Sequence, residues 1–193
     1  MTISRLMALC CARKMTGARM AAHVALLRGI NVGGANRLPM ADLKRIAGGL
    51  GWREARSYLA SGNLVFEADE GDHEAALREA LRREAGLRIA VRVLDAGRFR
   101  TIAAACPFSP EDGRLAHVYF CWAEPEIDAG LLERLRAPDE RLEAGEGAVY
   151  LDAPSGIGRS KLAANLERVV RGTELTGRNL RTVRALDGML GAA

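Results

Sequence analysis

Aromatic residues make up only 5% of this 193-residue chain. Trp52, Trp122, Tyr58 and Phe66 are too few and too scattered for an aromatic nucleic-acid platform, and Tyr119-Phe120 is the one local approach to such a surface. No apolar run reaches about 18 residues, so no membrane-spanning helix is expected. The four cysteines, Cys10, Cys11, Cys106 and Cys121, form no C-x-x-C pair. Neither a disulfide framework nor a zinc site follows from them. Cys106 and Cys121 read as reduced core thiols of a cytoplasmic protein.

Motifs of familiar chemistry are missing as well. There is no H-E-x-x-H pair and no G-x-S-x-G elbow. His23, His73 and His117 are scattered, and Glu111-Asp112-Gly113 reads as a turn. "GIGRSKL" has Gly, Ser and Lys in the wrong order for a P-loop. The sequence therefore calls for no cofactor and no metal.

Excess charge is largely absent too. The formal net charge is +4, and Arg5, Arg13, Lys14 and Arg19 account for all of it. The rest has 24 basic and 24 acidic residues, so a pI near 9.1 is no argument for nucleic-acid binding. Within that remainder residues 21–110 carry +3, residues 111–152 carry −7 and residues 153–193 carry +4. The basic C-terminal stretch reads either as a solvated helix face or as a modest anion-binding signal. Residues 1–20 read as a disordered leader or an over-extended start, with Met20 opening a more natural beginning.

What is present is a regular alternation of elements. His23–Arg28 is a buried strand, followed by a Gly/Asn loop. Pro39 opens a helix whose apolar residues (Met40, Leu43, Ile46, Ala47 and Leu50) keep helical spacing up to Gly51. Strands at Ala55–Ala60 and Leu64–Glu67 flank Ser61-Gly62-Asn63, a strong turn. Asp72–Ala85 is an amphipathic helix stopped by Gly86, and Ile89–Leu94 is a strand. A short helix at Ala96–Ala105 leads to a boundary at Pro107 and Pro110. The second half starts again: a strand at Leu115–Trp122, a helix at Glu124–Leu135, and strands at Glu140–Glu143 and Ala148–Leu151. A helix at Lys161–Val170, capped by Ser160, and a last helix at Arg178–Leu190 with Thr176 as its cap follow. The expected fold is α+β: two ferredoxin-like (split βαβ) subdomains with antiparallel sheets, at residues 21–106 and 107–193. The second lacks its last strand and ends in a helix.

The run "LLRGINVGGANRLPMADLKRIAGGLGWREARSYLASGNLVFEA" resembles the opening of the family known as domain of unknown function 1697. Pro107, Asp112-Gly113, Ser160-Lys161-Leu162, and Arg178-Asn179 with Thr182-Val183 also match its pattern, from about Ala22 to Leu190. The resemblance implies two ferredoxin-like subdomains and no established catalytic residues. Leu180 departs from it, since family members usually carry an aromatic there.

Topology points to one candidate edge. In β-α-β-β the first two strands are joined by a right-handed crossover, so the loop Arg28–Arg37 and the turn at Ser61-Gly62-Asn63 share one end of the sheet. Gly29, Gly33 and Gly34 let the backbone approach a ligand, and the following helix N-terminus favours anions. Arg28, Asn31, Asn36, Ser61 and Asn63 add donors. Lys161, Arg178 and Asn179 extend the candidate set, Arg178 and Asn179 sharing one helix face with Thr182. The same Gly and Asn residues also serve ordinary tight turns. The first reading is non-catalytic binding of a small, phosphate-bearing anion or a nucleic-acid end. An enzyme acting on a phosphorylated or acyl substrate is one alternative, weakened by the lack of a general base in the loop. A structural or dimerisation module is the other, so the chain is expected to be a monomer or a homodimer with no membrane partner.

Overall fold

The apolar run after Met20 is buried on both faces, and a strand of that kind belongs in the middle of a sheet. The computed structural model describes residues 20–34 and 36–191; the expected leader, apart from Met20, lies outside the described residues. In the first half the elements are β1 (Ala21–Leu27), α1 (Met40–Gly49), β2 (Arg53–Tyr58), β3 (Asn63–Ala68), α2 (His73–Ala85), β4 (Val91–Asp95) and α3 (Ala96–Ala104). The sheet order is β2-β3-β1-β4, antiparallel throughout. Buried β1 is indeed central, and the more polar β2 (REARSY) takes an edge.

Local signals set the helix ends. Pro39 opens α1, where its missing N–H is harmless. The Asp72 carboxylate accepts from the Ala75 N–H at 2.9 Å and caps α2, and Gly86 ends it with φ of 67°. The buried faces of α1 (Leu43, Ile46, Ala47) and α2 (Leu77, Ala80, Leu81) cover one side of the sheet. There Phe66 of β3 stacks on Trp52 with ring centres 3.7 Å apart.

The second half repeats this pattern with an added ribbon. It runs β5 (Ala116–Cys121), β6 (Glu126–Ile127), α4 (Ala129–Leu135), β7 (Arg141–Gly145), β8 (Ala148–Asp152), α5 (Lys161–Ala164), α6 (Leu166–Val169), β9 (Val170–Arg171), β10 (Leu175–Asn179) and α7 (Leu180–Leu190). Its main sheet is ordered β10-β5-β8-β7, again antiparallel. Counterpart strands therefore occupy counterpart places in the two sheets.

Four expectations need correction. The last strand of the second half is present: it is β10, which pairs with β5 and buries Leu175, Thr176 and Arg178. Gly177 and the charged Arg178 mask it in the sequence. The final helix consequently starts at Leu180, with Asn179 rather than Thr176 as its cap. The helix expected from Glu124 begins at Ala129, because Glu126 and Ile127 pair with Arg171 and Val170 and Asp128 supplies the cap. The helix expected over Lys161–Val170 breaks at Asn165, whose side-chain amide donates to the Lys161 carbonyl.

α3 and α7 lie between the two sheets. One cluster joins Val24, Leu26, Val65 and Leu94 of the first sheet to Val118, Phe120 and Tyr150 of the second through Phe99, Ile102, Val183 and Leu186. The buried Tyr150 hydroxyl donates to the Ile102 carbonyl at 2.9 Å. On the far side of the second sheet, Val149 and Leu151 pack on Leu162, Leu166 and Val169. The layers thus run helices, sheet, helices, sheet, helices, and the central layer is common to both halves. No helix among the described residues is long and apolar enough to cross a membrane.

Candidate functional site

The loop after β1 starts where three segments meet. The Arg28 N–H donates to the Ala90 carbonyl at 2.9 Å, and the Leu27 N–H to the Gly62 carbonyl at 2.8 Å. Two asparagines then hold the loop's shape. The Asn31 amide donates to the Leu38 and Ala60 carbonyls, and its oxygen accepts from the Leu38 N–H. Asn36 donates to the Gly29 carbonyl at 3.1 Å. Both asparagines have positive φ, 55° and 48°, a conformation their short polar side chains tolerate. Gly33 and Gly34 are exposed with positive φ, and among the described residues neither has an atom beyond its chain neighbours within 4 Å of where a Cβ would sit. The loop and the Ser61-Gly62-Asn63 turn therefore lie side by side.

The turn's polar groups face inward. Asn63 is fully buried. Its amide donates to the Tyr58 carbonyl and to Ser61 Oγ, and its oxygen accepts from Arg178 Nε. Arg178, 8% exposed, also donates to Thr176 Oγ1 and to the carbonyls of Gly177, Leu27, Ser61 and Gly62. No carboxylate is among these partners, and burial pushes the guanidinium down to about 10. Arg178 thus fastens the edge strand of the second sheet to the hairpin of the first. Lys161 is exposed at the start of α5, and the Asn179 side chain caps α7 by accepting from the Thr182 N–H. Of the candidates read from the sequence, Arg28 and Asn36 line an open cleft, whereas Ser61, Asn63 and Arg178 bond to one another outside its lining.

That cleft has a volume of about 1160 Å³. One wall is the loop, through Arg28, Gly29 and Asn36. A second is α2, whose Ala75, Arg78, Glu79 and Arg82 share one helix face by their three- and four-residue spacing. Arg88, Ile89, Ala90 and Val91 form the floor beside it, and Trp122 and Glu174 come from the second half. Four arginines therefore stand against two glutamates.

The pairing of these charges is uneven. Arg28 reaches Glu167 at 2.6 Å and Glu174 at 3.5 Å. Arg82 holds Glu79 through two bonds of 2.8 and 2.6 Å, which keeps that carboxyl below its ordinary range. Arg78 and Arg88 make no salt bridge and no side-chain hydrogen bond among the described residues. Two guanidinium groups are thus left facing solvent in a concave, basic setting.

Sequence reasoning passed over Arg78, Arg82, Arg88 and Trp122. The i, i+4 pair Arg78 and Arg82 was a signal, but a charged helix face looks the same whether it meets water or a cleft. No group of three or more His, Cys, Asp or Glu residues among those described is arranged to hold a metal ion. His23 and His73 meet edge to face at 4.6 Å beside Phe66, outside the cleft lining. Cys106 and Cys121 are free thiols, and burial raises both, Cys121 to about 11.

The family described as "Protein of unknown function (DUF1697)" matches residues 20–150, which span every cleft-lining residue except Glu174. This chain belongs to that family. Among solved structures, the DUF1697 chain is similar to the conserved bacterial protein SP0830 from Streptococcus pneumoniae. The TM-score is 0.60 at 25% identity, over 89% of this chain and 99% of that one. No curated protein matches it.

Proposed function

We propose that this DUF1697 protein is a binding protein for a small anionic ligand, a phosphate-bearing one in particular, held in the cleft between the Gly/Asn loop and α2. The observation that carries the reading is the pair Arg78 and Arg88, which have no partner among the described residues, in a concavity that also holds Arg28 and Arg82. Guanidinium groups match phosphate oxygens in a bidentate fashion, and several of them around one concavity add to each other's attraction for an anion. The loop contributes a Gly29 backbone free of a side chain and the Asn36 amide at its rim. Binding fits the lining better than catalysis: both carboxylates, Glu79 and Glu174, are engaged by arginines, so neither is poised as a general base. A cytoplasmic setting belongs to the same reading, since Cys106 and Cys121 form no disulfide among the described residues.

Calorimetric titration with inorganic phosphate and pyrophosphate at low ionic strength tests this. The wild-type protein should bind pyrophosphate with an affinity that falls as salt rises. The double substitution Arg78→Ala, Arg88→Ala should weaken binding by at least about tenfold, through loss of two charge-assisted contacts, while leaving the melting temperature close to wild type. Unchanged affinity in the double variant would remove the reading.

A further inference from the structure

Resting on the anion-binding reading above, we infer that the ligand is a nucleoside phosphate and that Trp122 is the platform for its base. The cleft is much larger than a phosphate group. At about 1160 Å³ it lies slightly above the usual range of small-molecule pockets, so it has room for a ligand of which the anion is only one part.

The lining is divided in character. Arg78, Arg82 and Arg88 supply charge from α2 and the segment after it, and Trp122 supplies an apolar ring from the second half. A ligand that fills such a cleft is amphipathic, with an anionic group for the arginines and a flat apolar body for the ring.

The state of Trp122 supports the flat body. The chain has two tryptophans. Trp52 is 7% exposed and stacks on Phe66, as expected for a large apolar ring with a purely internal role. Trp122 is only partly buried, and among the described residues it stacks on no other ring and lies under no arginine. Its backbone is nonetheless firmly set. The Trp122 N–H lies 2.9 Å from Thr173 Oγ1 and 3.2 Å from the Glu174 carbonyl, both of which it can donate to. A large ring left partly exposed on a hydrogen-bonded bend, in a basic cleft, is placed for stacking a planar heterocycle. Stacking of that kind tolerates any base, because every base has a π-face.

Free nucleotides and the phosphorylated end of a nucleic-acid strand share this chemistry. Calorimetry should therefore compare pyrophosphate, ADP, CDP and a short 5′-phosphorylated single-stranded oligonucleotide, using wild type, Trp122→Ala and Trp122→Phe. The expected result is at least about tenfold tighter binding of both nucleoside diphosphates than of pyrophosphate. Trp122→Ala should reduce nucleotide affinity about tenfold more than pyrophosphate affinity, and Trp122→Phe should restore most of the difference. An oligonucleotide that binds more tightly than the diphosphates assigns the site to strand ends, and weaker binding assigns it to free nucleotides. Equal affinity for pyrophosphate and the nucleoside diphosphates overturns this inference and leaves the anion site standing. Binding of neither overturns both.

Discussion

Arg178 carries a formal charge into a place where none of its partners among the described residues is a carboxylate. Burying a lone ion is costly, and the guanidinium offsets this only through neutral oxygens arranged around it: Asn63, Thr176 and the carbonyls of Leu27, Ser61, Gly62 and Gly177. Those partners come from β1, from the first hairpin and from β10 itself, so one side chain fixes three segments. Arg178→Met should destabilise the protein by about 3 kcal/mol or more, because several buried acceptors lose their donor together. Arg178→Lys should not recover this, since an ammonium cannot span the same fork. Urea unfolding followed by circular dichroism measures both, and a loss below about 1 kcal/mol would contradict the assigned role. The residue type was legible as a candidate anion ligand, and its neighbours were not. Asn63 is 115 positions away along the chain, and nothing local to Arg178 marks it as a partner.

At the scale of elements, most of the first half was readable. Pro39, Asp72 and Gly86 act within a turn of themselves, so the ends of α1 and α2 follow from the sequence nearby. The Ser61-Gly62-Asn63 turn was readable for the same reason, and the structure adds why its middle residue is glycine. Gly62 has φ of 79°, and a Cβ there would sit 2.7 Å from Leu27 Cβ and 2.9 Å from Ile30 Cδ1. Gly62→Ala combines backbone strain with overpacking and should cost about 2–4 kcal/mol. A thermal melt of that variant should show a correspondingly lower midpoint, and a wild-type midpoint would mean the hairpin relaxes away from the loop. Elements of the second half were harder to read. Both β6 and β9 are two residues long and exist through each other, and β10 exists through β5. Short strands with Gly or charge in them acquire their conformation from a partner, which no local window contains.

For the whole molecule, the important fact is the shared middle layer. Phe99 and Ile102 of α3 and Val183 and Leu186 of α7 pack with residues from both sheets. Removing either half would expose that layer, so the halves should unfold as one unit. The two tryptophans provide a direct check, since Trp52 lies in the first half and Trp122 in the second. Trp52→Phe and Trp122→Phe each leave one emitter. In each variant, the urea midpoint followed by fluorescence should coincide with the midpoint followed by circular dichroism. A fluorescence transition separated from the circular dichroism transition of the same variant would mean that the layer does not couple the halves.

Hydrophobic period, caps and turn residues determined the order of elements in the first half, the α+β class and the proximity of the first loop to the hairpin, because those forces act over a few residues or follow from crossover handedness. Whether a polar side chain points into the protein or into a cleft was decided only in three dimensions. Asn63 and Arg178 turn inward onto each other, and Arg78, Arg88 and Trp122 meet across a concavity built from both halves. That outcome depends on which distant neighbours supply an acceptor or leave a gap, and the chain must first be packed for either to exist.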